Sequence, residues 1–244
     1  MKLELYNNNI LKDIFETINM IVDEIGIECD NEGIRLQAID RSHITFVSLD
    51  LKSSLFDEYT CETPEKICLD TGELMKVLKR CKNNDLLKWE SDISNLHLTF
   101  EGDSTREFNI RLIDLEYESP QPPELNPPVT LKLPVETLND FLGDIELFGE
   151  TIQFTVDENY FTASGDGDFG DSTVKYLHGE HVREVVVSRF NIARIKDMLR
   201  AKKLNKEINL KLGTDMPLIL EYDINNGEGL LSFLLAPRLG TEEE

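Results

Sequence analysis

Apolar positions along the chain alternate between two periods, and the order of those periods is repeated once. A short alternating run at 2–6 opens the first half. Leu11, Ile14, Phe15, Ile18, Val22 and Ile25 then fall at helical spacing and predict one amphipathic helix over 7–25, stopped by Gly26. Period-two alternation predicts strands at 27–30, 33–39, 44–51 and 65–69, with Asn31-Glu32-Gly33 as a hairpin turn. A second helix is expected over 71–81. Asp70 and Glu73 stand at capping-box spacing before it, and Leu74, Val77, Leu78 and Cys81 face inward. Strands at 86–90, 96–101 and 107–113 close this half.

The second half runs in the same order. A strand at 129–133 precedes a helix over 135–147, with Val135, Leu138, Phe141, Leu142 and Ile145 inward. Strands at 152–156, 160–164, 172–177 and 183–187 follow, then a helix over 189–201 and strands at 208–212, 218–222 and 230–235. Leu11 and Leu138, Leu74 and Ile195, and Ile110 and Phe233 hold equivalent places. Such repetition implies an internal duplication: two similar α+β domains, 1–113 and 129–244. The segment between them, 114–128, holds five of the chain's nine prolines. Proline fixes φ and lacks an amide proton, so this is an extended connector that cannot enter a sheet interior. Leu115, Tyr117 and Leu125 punctuate it with apolar side chains.

Charge changes the picture next. The 244 residues carry 25 Lys and Arg against 47 Asp and Glu, a net charge of -22. That excess opposes tight electrostatic binding of nucleic acid by the surface as a whole. Two helices reverse the sign locally. On the first, Lys76, Lys79 and Arg80 lie opposite the apolar side, with Lys82 just beyond. On the last, Lys196, Arg200 and Lys203 form a stripe at i, i+4 and i+7, with Arg194 on the other flank. No aromatic residue interleaves with them, so the expected contact is with phosphates and is independent of sequence. The other two helices are acidic outside: Lys12 stands among Asp13, Glu16, Asp23 and Glu24, and 135–147 shows Glu136, Asp140 and Asp144.

Candidate catalytic and metal-binding motifs fail on inspection. Gly165 to Asp171 has the glycines and aspartates of a calcium loop but not its spacing, and it reads as a long turn. His178 and His181 have no neighbouring ligands to complete a zinc site, and His43 and His97 stand alone. Neither a nucleophile elbow nor an H-E-x-x-H motif occurs. No cofactor, metal or enzymatic activity is expected. Cys29, Cys61, Cys68 and Cys81 form no C-x-x-C pair and read as reduced thiols. The apolar runs are too short to span a membrane, and the N-terminal residues do not form a signal peptide.

Leu36-Gln37-Ala38-Ile39-Asp40-Arg41-Ser42-His43-Ile44 closely resembles a signature stretch of the sliding clamps of the proliferating cell nuclear antigen family. Thr162-Ala163-Ser164-Gly165, Met216-Pro217-Leu218 with Glu221-Tyr222, and Leu234-Leu235-Ala236-Pro237-Arg238 resemble further family segments, in order along the chain. The short tail and the proline-rich connector look archaeal. The resemblance implies a ring of three chains joined head to tail, with two helices per domain laid on antiparallel sheets and the helices lining a central hole. The DNA-facing residues would then be Lys12, Lys76, Lys79, Arg80, Lys82, Arg194, Lys196, Arg200 and Lys203. A ring is held on duplex DNA by topology, which reconciles the acidic chain with a polyanionic partner. The resemblance further implies an apolar pocket for a short peptide motif, matched here by Ile39, His43, Ile44, Phe46, Pro120, Pro122, Pro123, Pro217, Leu235, Ala236 and Pro237. It places the subunit interface on Arg106, Phe108, Ile110 and Leu112 of one copy and Ser172, Val174, Tyr176 and His178 of the next. Implied partners are a clamp loader, DNA polymerase, a flap nuclease and DNA ligase. The implied location is the cytoplasm at the nucleoid, or the nucleus in a eukaryotic source. A checkpoint-type clamp subunit, working in a heterotrimer, is the alternative.

Overall fold

The computed structural model describes residues 1–115, 120–121 and 123–239. The chain divides into two compact units, one of Met1–Pro122 with Asp223–Leu231 and one of Pro123–Tyr222 with the chain from Ser232 onward. Both are α+β, with two helices packed on antiparallel strands.

Unit one contains β1 (Lys2–Leu5), α1 (Asn9–Asn19), β2 (Glu24–Asp30), β3 (Gly33–Ile39), β4 (Thr45–Lys52), a 3-10 turn (Ser53–Leu55), β5 (Glu58–Thr60), β6 (Glu65–Asp70), α2 (Thr71–Leu78), β7 (Leu86–Ser91), β8 (Asn95–Glu101) and β9 (Thr105–Arg111). One sheet runs β5-β1-β7-β8-β9, and β4, β3, β2 and β6 are neighbours in that order in another. The helices cover one side of the strands through Leu11, Ile14, Phe15, Ile18, Leu74 and Leu78, all buried. Phe15 stacks on Trp89 of β7 with ring centroids 5.8 Å apart. Each such side chain taken from water contributes roughly 1.5–3 kcal/mol. Asp70 caps α2 by accepting the Glu73 amide at 2.8 Å.

Unit two contains β10 (Val129–Pro134), α3 (Val135–Glu146), β11 (Thr151–Val156), β12 (Tyr160–Gly167), β13 (Gly170–Leu177), β14 (Val186–Asn191), α4 (Ile192–Met198) with a 3-10 extension (Leu199–Lys203), β15 (Glu207–Leu212), β16 (Leu218–Ile224) and β17 (Gly229–Leu235). Its sheet β13-β12-β11-β14 is antiparallel throughout, and β10, β15, β16 and β17 are neighbours in that order. Phe161 packs against both Phe141 of α3 and Phe154, at 5.5 and 5.1 Å between ring centroids.

Four local expectations are overturned. The first helix stops at Asn19, and Glu24–Asp30, including Gly26, is a strand paired with β6. Val22 and Ile25 fit the helical period, but Ile25, Ile27 and Cys29 also alternate, and that strand pairing prevails over local spacing. The second helix ends at Leu78 rather than at 81, and Met75 is buried where Val77 was expected inward. The supposed long turn at 165–171 is instead a continuation of the β12–β13 ladder, with Gly167 opposite Gly170 and only Asp168 and Phe169 between them. The strand expected at 183–187 is Val186–Asn191, so Arg189 lies in a strand opposite Gln153. There Asn191 caps α4 by accepting the Arg194 amide at 3.2 Å, which sets the helix start at Ile192. Strand β5 and the 3-10 turn before it carry no period long enough to be read from the sequence.

Candidate nucleic-acid interface and assembly edges

In unit one, α1 and α2 lie side by side, and the cations named from the sequence sit on or next to α2, except Lys12 on α1. Lys76, Lys79 and Arg80 are exposed. Each lysine has an acidic neighbour: Lys76 Nζ is 2.7 Å from Glu73 Oε1, and Lys79 Nζ is 3.7 Å from Glu16 Oε1 across the helix pair. Lys82 Nζ lies 3.9 Å from Asp103. Lys12 is half-buried and donates to the Cys81 carbonyl at 3.1 Å and to Asn83 Oδ1 at 3.2 Å. It therefore ties α1 to the loop after α2.

Unit two repeats the arrangement. Lys196 of α4 pairs with Glu146 of α3, and Lys202 Nζ is 3.2 Å from Glu136 Oε1. Arg200 Nε is 3.7 Å from Asp197, Lys203 is exposed, and Arg194 is half-buried. The expected stripe of Lys196, Arg200 and Lys203 assumed α-helical advance throughout. From Leu199 to Lys203 the backbone is 3-10, with three residues per turn, so the spacing rule no longer holds. Lys202, absent from the sequence-based set, is brought to solvent beside Lys203. In each unit an acidic helix (α1, α3) thus supplies counter-ions to its basic neighbour (α2, α4).

Among the strands that end their sheets are β9 and β13. β9 has β8 as its sheet neighbour and β13 has β12, and each presents its other edge outward. Phe108 and Ile110 alternate with exposed Glu107, Asn109 and Arg111 on β9; Ser172, Val174 and Tyr176 are half-buried between exposed Asp171, Thr173, Lys175 and Leu177 on β13. Leu112 and His178 lie one residue beyond their strands, and both amides still bond across, to the Ser94 and Asn159 carbonyls at 2.9 and 3.1 Å. Arg106 turns inward: its guanidinium pairs with buried Asp85, donates to the Arg80 carbonyl at 2.7 Å and lies over the Phe100 ring.

The turn after β3 is built around Asp40. Its Oδ1 accepts the Ile44 and Thr45 amides, each at 2.8 Å, and its other oxygen pairs with Ser42. Asp40 is 4% exposed, so the carboxylate fixes the turn, which carries His43 at φ 56° and leaves Ile44 41% exposed. Ile39 is half-buried and Phe46 is core. In unit two Leu235 is fully buried, Ala236, Pro237 and Pro217 are half-buried, and Pro123 is exposed. The segment after β17 is pinned along β14: the Arg238 amide donates to the Arg189 carbonyl, and Arg238 Nη1 to Thr151 Oγ1, both at 2.7 Å. Pro120 is half-buried, and Pro122 lies outside the described residues.

The family model described as "Proliferating cell nuclear antigen, N-terminal domain" matches residues 1–121. A DNA polymerase sliding clamp from Methanobrevibacter smithii is 53% identical over 242 residues, covering 99% of each chain. The sliding clamp of Methanothermobacter thermautotrophicus is 49% identical with the same coverage, and that of Thermococcus gammatolerans is 34% identical over 93% of this chain and 94% of its own. This chain belongs to the proliferating cell nuclear antigen family of DNA polymerase sliding clamps.

Among the described residues no cluster of three or more His, Cys, Asp or Glu could hold a metal ion. Burial pushes the thiols of Cys29 and Cys81 up to about 12 and about 11, far from nucleophilic range at neutral pH. No described helix is long and apolar enough to cross a membrane. Sequence reasoning located the clamp's basic helices but not their counter-ions. The partner of Lys202 is 66 residues away, and only the packing of α3 beside the 3-10 turn brings it close.

Proposed function

We propose that three copies of this sliding clamp join head to tail, β9 of one to β13 of the next, into a closed ring around duplex DNA. The observation that supports the reading is that β9 in unit one and β13 in unit two each end a sheet. An outward row of backbone donors and acceptors is a template for another strand, and two such edges on one chain give a heterologous joint that closes by rotation. Lys76, Lys79, Arg80, Lys82, Arg194, Lys196, Arg200, Lys202 and Lys203, with Lys12 behind them, then face phosphates. Their acidic neighbours keep each contact weak, which suits a ring that moves along DNA. Binding is independent of sequence because phosphates carry no base identity.

Clamp loader, polymerase, flap nuclease and ligase are assigned as partners that dock a short peptide. The exposed Ile44 on its rigid turn and the Ala236–Pro237 segment are the proposed contacts, and Ile39, His43, Pro120, Pro122, Pro123 and Pro217 are assigned to the same role. Phe46 and Leu235 support from the core. The activity is mechanical rather than catalytic, and its place is with DNA in the cell.

The test is topological. Clamp loaded on nicked circular DNA should survive gel filtration in high salt and be lost once the circle is linearised. Equal retention on both forms would sink the ring reading. Light scattering of the lone chain discriminates against a checkpoint-type heterotrimer, which predicts that it does not form a trimer by itself.

A further inference from the structure

The β12–β13 hairpin ends in a feature that edge pairing alone does not use. Phe169, one of its two turn residues, is 76% exposed and still held in place against Phe148, the rings tilted at 32° with centroids 5.2 Å apart. The tip sits against the end of α3 so closely that a Cβ on Gly167 would come 1.7 Å from the Phe148 carbonyl oxygen. This is a preformed apolar knob. Asp166, Asp168 and Asp171 surround it, all exposed.

Unit one holds a groove of about 800 Å³ whose lining mixes apolar and polar side chains. Its walls are β6, the β7–β8 turn and the chain leaving β9, held together by the Leu112 amide on the Ser94 carbonyl at 2.9 Å and the Ile113 amide on the Cys68 carbonyl at 3.0 Å. Ile93 stands at its rim, 99% exposed, and Leu112, Ile113 and Leu115 are half-buried along it. Lys66 and Arg111 line it against a single carboxylate, Asp114. The turn that carries Ile93 is clamped by His97, whose Nε2 is 2.8 Å from Asp92 Oδ2 and whose Nδ1 is 2.6 Å from Asn109 Oδ1.

Topology brings the two features together. All pairings within both sheets are antiparallel, and an antiparallel joint between β9 and the next copy's β13 continues that pattern. In such a joint the C-terminal end of β9 lies beside the N-terminal end of β13. The groove starts where β9 ends, and the knob sits where β13 begins. We propose that Phe169 of one copy seats in the groove beside Ile93 of the next, with Asp168 and Asp171 facing Arg111 and Lys66. This rests on the ring reading above and assigns the joint a side-chain anchor at one end of the strand pair. An aromatic residue set against apolar side chains beside complementary charge is a common form of interface anchor.

The test uses the full chain. Phe169→Asp and Ile93→Asp should each raise the concentration at which the trimer dissociates, by about 10- to 100-fold for a lost aromatic anchor, read by light scattering on dilution. Thermal melts of each variant report whether the fold survives. Mixing the two variants one to one should restore pairing to a dimer in native mass spectrometry, since each copy keeps one intact side. Ile93→Cys combined with Phe169→Cys, both in a Cys68→Ser background, should give covalent dimers and trimers on oxidation, and neither single variant should. If both Asp variants dissociate like wild type while Phe108→Asp falls apart, the edge joint stands and the anchor is wrong. If Phe108→Asp also stays trimeric, the ring reading fails with it. Loss of partner-peptide binding with an unchanged trimer would mean that a different protein occupies the groove.

Discussion

The Lys202 ammonium lies 3.2 Å from the Glu136 carboxylate, so a cation on the basic side of unit two is partly neutralised by the helix next to it. Both side chains are well exposed, and such pairs contribute only ~0–1 kcal/mol to stability. Their larger effect is on the field that DNA meets. Glu136→Gln combined with Glu146→Gln should leave the melting temperature nearly unchanged and tighten binding to linear duplex at low salt. The slope of log K against log salt should steepen by up to about 0.9 for each phosphate newly neutralised. Fluorescence anisotropy at several salt concentrations measures it. Identical curves for variant and wild type would remove these helices from the DNA side.

The reverse experiment removes cations. With Lys76, Lys79, Arg80, Lys196, Arg200 and Lys203 all changed to Ala, polymerase processivity should fall and lose its salt dependence, while the trimer stays intact. Single changes should do little, because the field is shared. Unaltered processivity at every salt concentration would show that these side chains face elsewhere.

Backbone chemistry tests the edges. Lys175→Pro removes an amide proton and imposes a ring on β13, and Phe108→Asp puts a charge at the edge of β9. Each should yield monomers or open oligomers by light scattering with secondary structure retained. Trimers in both cases would place the joint on other strands.

For peptide docking, Ile44→Asp or Ala236→Asp with Pro237→Asp should abolish binding of a partner-motif peptide in calorimetry and leave the trimer unchanged. Ile44 can be changed with little structural cost because it is exposed, whereas the Asp40 beneath it cannot. An unchanged affinity would move the docking site.

A pH effect follows from the clamp on the β7–β8 turn. Hydrogen bonds that the His97 imidazolium donates to Asp92 and then to Asn109 hold it above its ordinary range, and Asp92 is held well below the usual carboxylate range. A raised histidine contributes stability that is fully present below about pH 6.5 and is lost as pH rises through its folded value. His97→Gln should therefore destabilise the chain most in mildly acidic buffer, with the difference from wild type shrinking as the pH rises. Chemical denaturation at a series of pH values checks this. A difference that does not vary with pH would mean His97 acts only as a neutral hydrogen-bonding group.

How far the sequence was legible follows from where the information lies. The order of elements and the duplication were readable because Leu11, Ile14, Phe15 and Ile18, or Leu138, Phe141, Leu142 and Ile145, set their own period. Asn191 is a readable cap, yet it stands between Phe190 and Ile192, which continue the apolar pattern across it and set the expected helix start three residues early, at Arg189. The end of α1 was ambiguous locally, since Ile25 satisfies both periods, and only its pairing with Leu69 decides. Gly165 to Asp171 has the composition of a loop. Its ladder exists because those glycines let Phe148 approach, a contact that no short window contains. The carboxylates opposite Lys79 and Lys202 likewise come from distant parts of the chain.

The outward edges of β9 and β13 bear on the life of a newly made chain. An uncovered strand is the usual nucleus of fibrous stacking between like copies. Here the exposed positions are interrupted by Glu107 and Arg111 on one edge and by Asp171 and Lys175 on the other. Charged side chains on both edges thus keep either strand from being a flat apolar template while the chain is alone.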